Sequence, residues 1–201
     1  MELFKRVITT VLAALVLTSC SSMNSAITIG DKEFSTSDIQ KPVDEVLRDR
    51  KKVDTSQMQL AEADELLRNQ AQFYIVGILL DRIAADKKLS VTNADIAARR
   101  TEILSQVGGE AELPKALVGA SLAQSNLDAY LKVLIISERL DAYFINSGTP
   151  QAQAPELVAK AVTDIANKLG VEVNPKYGKW NPTNTSIEAS DATDGAVTQL
   201  P

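Results

Sequence analysis

The chain has 201 residues, 45% of them hydrophobic and 23% charged, and its 21 basic and 26 acidic side chains leave a formal charge of −5. It contains no histidine and a single cysteine, which excludes an intramolecular disulfide and any catalytic or zinc site that needs an imidazole. The mildly acidic balance argues against a nucleic-acid partner and against an electrostatic hold on anionic lipid.

Lys5 and Arg6 precede the apolar-rich run Val7 to Leu17, which leads through the small Thr18 and Ser19 to the lone Cys20. That order predicts a secretion signal. The run is shorter than the roughly 20 apolar residues of a spanning helix, and no basic stop-transfer flank follows it, so removal is expected rather than retention. Leu17-Thr18-Ser19-Cys20 resembles the bacterial lipobox, where the thiolate is the nucleophile that takes the lipid. The competing reading is an ordinary signal peptide with an incidental cysteine. On the lipobox reading, residues 1–19 are signal peptide and residues 20–26 a lipidated tether, with a reach of roughly 20 Å beyond Cys20. Loss of two basic residues and one acidic residue then takes the formal charge from −5 to −6.

Ile27, Ile29 and Phe34 flank Gly30-Asp31-Lys32 and predict a small hairpin. From Thr36 the pattern turns helical, with caps available in Ser35-Thr36-Ser37-Asp38 and an apolar stripe of Ile39, Val43, Val46 and Leu47. Residues Ser56 to Lys87 predict one long helix, without proline and interrupted only by Gly77. Its second half, Phe73 to Leu80, is apolar all round, as in a helix covered by several neighbours. Thr92 with Asp95 caps the next helix, which Gly108-Gly109 stops. A short helix is expected around Leu113 to Leu117. Ser125 with Asp128 opens another long one, Leu127 to Asn146. After a break at Ser147 to Pro155, a last helix over Glu156 to Leu169 ends at Gly170, and Val171-Glu172-Val173 alternates like a strand. That strand has no local partner and is expected to pair with the amino-terminal hairpin. Residues 181–201 carry little to bury and read as a disordered tail. The expected fold is mostly α: a helical bundle with two long helices, plus a small antiparallel sheet made by the hairpin and the carboxy-terminal strand.

The run Leu89 to Ile96, Gly108-Gly109-Glu110, Leu113 to Leu117, Ser125 to Leu131 and Glu138-Arg139-Leu140 resembles the amino-terminal domain of the SurA and PrsA family of exported chaperones. The hairpin leading to Ser37-Asp38, and Val173 to Trp180, are similar to the opening and closing segments of that family. The resemblance covers most of Ala26 to Trp180 and implies a chaperone domain over residues 27–180. Many family members also carry a parvulin domain that isomerises prolyl bonds. Here the place for it holds only Ser147 to Pro155, too short for a domain, and its active-site histidines are missing, so isomerase activity does not come with the resemblance.

Catalysis finds no support elsewhere in the chain. Glu62 with Glu65 and Glu110 with Glu112 read as solvated surface rather than acid/base pairs, and no glycine-rich phosphate loop follows a strand. The reading is therefore of a non-enzyme without cofactor or metal. It is expected to lie on the extracytoplasmic face of a bacterial membrane and to bind unfolded or partly folded exported polypeptides without ATP. A homodimer made by exchanging a terminal helix or strand is compatible with it. Such a chaperone needs an apolar groove of tolerant shape. The residues expected to line it are Phe73, Tyr74, Leu79, Tyr130, Leu134, Tyr143 and Phe144, each with the competing reading of a core position. Two alternatives are an adaptor lipoprotein docking one folded partner, and a foldase related to prolyl isomerases.

Overall fold

The computed structural model describes residues 24–190. Cys20 and the signal-like run lie outside them, as do residues 191–201.

The opening hairpin forms as its sequence predicts. Strand β1 (Ser25–Ile29) pairs antiparallel with β2 (Lys32–Ser35) across a turn at Gly30, whose φ of 57° is the left-handed value such a turn needs. Two residues expected in the tether, Ser25 and Ala26, already belong to β1 and are buried. Six helices follow among the described residues: α1 (Thr36–Asp49), α2 (Ala63–Asp86), α3 (Asn93–Val107), α4 (Leu113–Gly119), α5 (Leu127–Asn146) and α6 (Ala154–Leu169). Strand β3 (Val171–Val173) then returns to pair antiparallel with β1, placing β1 at the centre of the order β2-β1-β3. The two ends of the described body are thus closed together.

Local chemistry accounts for most helix starts. Ser35 and Thr92 form reciprocal capping boxes with Asp38 and Asp95, each satisfying two backbone N–H groups that the helix leaves free. Ser125 behaves otherwise: its hydroxyl and backbone N–H both donate to the Glu45 carboxylate of α1, at 2.6 and 3.1 Å, and α5 starts from Asn126 without a side-chain cap. A long-range contact has taken the group that the local motif would have used.

Helix α2 starts later than its pattern predicts. Residues 53–62 form an irregular strap instead of the first two turns. The Arg50 guanidinium donates to the Ala61 carbonyl at 2.8 Å, and Ala61 packs beside Val43, Val46, Leu66 and Ala123. Those contacts act on a stretch whose intrinsic helix preference is worth only tenths of a kcal/mol per residue.

The segment after Gly178 also differs from expectation. Part of the expected tail is folded: β4 (Lys179–Asn181) and β5 (Ser186–Glu188) form a second hairpin, and Ile187 is buried. Gln72 of α2 grips β5 with both ends of its amide, donating to the Thr185 carbonyl and accepting from the Ile187 N–H, each at 2.8 Å. Gly178 (φ 125°) makes the approach possible, since a Cβ there would lie 2.2 Å from the Glu188 carbonyl oxygen. Trp180 sits half-buried against the main core.

That core gathers Ile27 and Ile29 of β1, Ile75 and Leu79 of α2, Ile136 and Leu140 of α5 and Val162 of α6. Two satellites flank it, one under α1 and one between α3, α4 and α5. No helix of the described residues is long and apolar enough to cross a membrane.

Candidate functional site: an apolar trough between two long helices

Helices α2 and α5 run side by side in the same direction. Phe73 meets Tyr130 near one end, Asp81 meets Lys132 further along, and Lys87 meets Tyr143 at the far end. The buried faces of the pair hold Ile75 and Leu79 against Ile136 and Leu140. Their outer faces separate around Gly77 to leave a trough of about 260 Å³, lined by Phe34, Phe73, Tyr74, Ile78, Ala129 and Val133. The Asp81–Lys132 ion pair, at 2.7 Å, lies on its border.

Gly77 leaves the floor open. A Cβ there would come no nearer than 3.7 Å to Val133, an ordinary contact. Packing therefore does not require a glycine at a mid-helix position, where it is destabilising by roughly 0.5–1 kcal/mol relative to alanine. Phe34 reaches the trough from β2 and stacks on Tyr74 with ring centroids 4.9 Å apart; Tyr74 in turn meets Phe73 at 5.9 Å. Burial, with a smaller contribution from Asp38, raises the Tyr74 phenol above its ordinary pKa, so it remains a neutral, partly apolar surface.

On the other side of Phe73 lies a second hollow of about 180 Å³, between α1, α2 and the α4–α5 connection. Val43, Val46, Leu66 and Leu122 supply its apolar wall, Tyr130 also lines it, and Asn69, Gln70 and Ser121 add polar groups. The Gln70 amide oxygen accepts from buried Asn126 at 3.0 Å, while its buried nitrogen finds no partner among the described residues. Phe73 is thus the shared wall of two adjoining apolar hollows, and Tyr130 stands beside it 38% exposed.

The residues expected to line a groove divide into three groups. Phe73, Tyr74 and Tyr130 come together at the trough. Leu79 does not: it is fully buried in the main core, because the face it occupies is the one α2 turns inward. Leu134 packs half-buried against the cluster between α3 and α5. Tyr143 and Phe144 lie at the far end as an edge-to-face pair 5.5 Å apart, with the Lys87 ammonium over both rings at 5.0 and 5.9 Å. They form a separate patch, half-buried like Phe73, with Ile145 38% exposed beside it.

Sequence reasoning missed Phe34, Ile78 and Val133. The interruption at Gly77 was the available signal for the trough; nothing local to Phe34 shows that its hairpin carries it there.

Apart from Asp81 and Lys132 at the trough's border, a group of charged residues joins α3 to α5. Arg139 of α5 bonds the Ser90 carbonyl and, at 2.7 Å, Asp95. The Thr92 backbone and hydroxyl donors, joined by Arg139, hold the Asp95 carboxyl at a pKa of about 2. Arg99 forks onto Glu138 and lowers its pKa. These contacts fasten α3 to α5. Glu62, Glu65, Glu110 and Glu112 are all exposed. Among the described residues no cluster of carboxylates or thiols is placed to hold a metal ion.

No family model, curated protein or solved structure matches the chain.

Proposed function

We propose that the chain is a membrane-tethered, ATP-independent chaperone that shields unfolded segments of exported proteins, with the trough around Phe73 as its client site. The observation that carries this reading is the pair of adjoining apolar hollows sharing one aromatic wall, at about 260 and 180 Å³. Each is smaller than the roughly 300–1,000 Å³ that encloses a drug-sized molecule. Hollows of that size suit single apolar side chains of a polypeptide better than a cofactor. The resemblance to exported chaperones points the same way.

The energetics favour transient capture. Each client side chain fully buried is worth about 1.5–3 kcal/mol. Two such anchors barely offset an association cost of about 4–15 kcal/mol. Affinity at one trough therefore falls short of the roughly 8.2 kcal/mol of micromolar binding, and clients exchange. A lipid on Cys20 compensates by raising the effective concentration near the export site. Asn24, the first described residue, accepts from the Thr36 N–H at 2.7 Å, beside the hairpin that carries Phe34. Of the trough's walls, Phe34 is thus the one close in the chain to the proposed anchor.

The test uses the soluble form lacking residues 1–20 and an unrelated, chemically unfolded protein prone to aggregate. Suppression of light scattering is expected, with most of it lost in Phe73→Ser. No suppression at several-fold molar excess overturns the chaperone reading in favour of an adaptor. Palmitate labelling of the full chain that disappears in Cys20→Ser checks the anchor separately.

A further inference from the structure

The strap before α2 carries a second helix start that the fold does not use. Gln57-Met58-Gln59-Leu60-Ala61-Glu62 is composed of strong helix formers, with neither glycine nor proline. Ser56 stands three residues before Gln59, the spacing of a capping box. The start in use is poorer: Glu62 occupies the cap position of α2 without a side-chain hydrogen bond. A better-capped, longer helix is thus encoded in the chain but not formed.

Arg50 is one of the contacts at the strap, beside the packing of Ala61 and the Asp54 carboxylate that accepts from the Ser56 N–H at 2.9 Å. One guanidinium nitrogen donates to the Ala61 carbonyl at 2.8 Å, and the other reaches the Ser121 hydroxyl at 3.4 Å. Its Nε is buried without a partner among the described residues, so the side chain is imperfectly satisfied where it sits. Ser121 itself has a φ of 55°, uncommon for a residue with a side chain. It also lines the 180 Å³ hollow beside Phe73. One end of the latch is therefore part of the hollow's wall.

We propose that Gln57–Glu62 is a latent first section of α2, held as a strap by Arg50, and that an apolar polypeptide seated against Ser121 releases it to become helix. This rests on the hollow beside Phe73, the second of the two adjoining spaces, being part of the polypeptide site, but the latch itself is testable without any client. Release joins the strap to the helix that carries Phe73, so occupancy of the hollow is read out as a change in the length of α2. A conformational change of this kind follows from binding only if the occupant favours the released state, and displacement of the Arg50–Ser121 contact supplies that preference.

Hydrogen–deuterium exchange on the full chain decides it. In Arg50→Met, amides 60–65 gain about tenfold or more protection, as new i to i−4 bonds form, while amides beyond Leu66 keep theirs. The double variant Arg50→Met, Gln59→Gly loses that gain, which separates helix extension from mere loosening. Unchanged or faster exchange at 60–65 in Arg50→Met overturns the proposal. A soluble peptide of alternating leucine and serine is the client probe. Added to the parent chain it protects the same amides, and Arg50→Met binds it roughly threefold or more tighter, since the competent state no longer has to be released first. Equal affinity with no added protection overturns the coupling. A peptide that binds neither form counts against the polypeptide-site reading, and the Arg50→Met exchange then decides the latch alone.

Discussion

The two ends of the α2–α5 pair carry similar aromatic content and similar burial, with half-buried rings at both and one large apolar side chain 38% exposed at each, Tyr130 and Ile145, and they differ in what lies against the rings. At the Phe73–Tyr130 end the rings border a trough whose floor a glycine leaves empty. At the Tyr143–Phe144 end a lysine lies over both rings, and nearby Arg139 bonds Ser90 and Asp95 to tie the α2–α3 connection to α5. Apolar content alone does not make a binding surface; what matters is whether another element, or a long charged side chain lying flat, covers it.

The largest effect should separate core from trough. Leu79→Ala, beneath the trough, is expected to cost about 2–5 kcal/mol in urea unfolding, the usual range for a buried leucine. Its capture of unfolded protein should stay near the parent's wherever the variant is folded. Phe73→Ala should show the reverse, with lost capture and a smaller stability change because its ring is less buried than Leu79. Equal losses of capture in both variants would erase the distinction between the two faces of α2.

Acid should loosen the Tyr143–Phe144 end through its fastenings. The folded-state pKa of Asp95 is lowered to about 2 from an ordinary 3.8, and that of Glu138 is also lowered. A depressed carboxyl stabilises the fold above its unfolded pKa, and that stability is lost as pH falls through the folded value. Melting temperature should therefore decline between about pH 4.5 and 2, and Asp95→Asn should flatten part of that decline while lowering stability at neutral pH. Lys87→Ala is the more local way to break the contrast. Loss of the ammonium over Tyr143 and Phe144 is expected to cost about 0.5–1 kcal/mol and to raise the fluorescence of a dye that binds exposed apolar surface.

The parts of this architecture legible in the sequence are those fixed by neighbours in the chain. Helix α5 forms over Leu127–Asn146 as its pattern predicts, the Thr92–Asp95 cap opens α3, and Val171–Val173, a strand without a local partner, pairs with β1. The parts that were not legible depend on residues far apart. The strap is held in part by Arg50, eleven residues before Ala61; β5 is gripped by Gln72; Ser125 is claimed by Glu45. The trough falls between these classes. Its aromatic walls on the helices could be named from periodicity, whereas Phe34 and the inward turn of Leu79 follow only from how the hairpin and α6 pack on α2.

Gly77 gives the smallest change in stability and the sharpest test of the contrast. If glycine served the packing of α2 on α5, adding a methyl group would disturb it, yet the nearest atom to such a Cβ is 3.7 Å away. Gly77→Ala should therefore stabilise the protein by roughly 0.5–1 kcal/mol through helix propensity, read as a higher urea midpoint with an unchanged slope. The same methyl group occupies the trough floor, so client capture should weaken while stability rises. A variant that is more stable and captures clients as well as the parent would show that the open floor has no part in binding, and would move the client site to the hollow on the other side of Phe73.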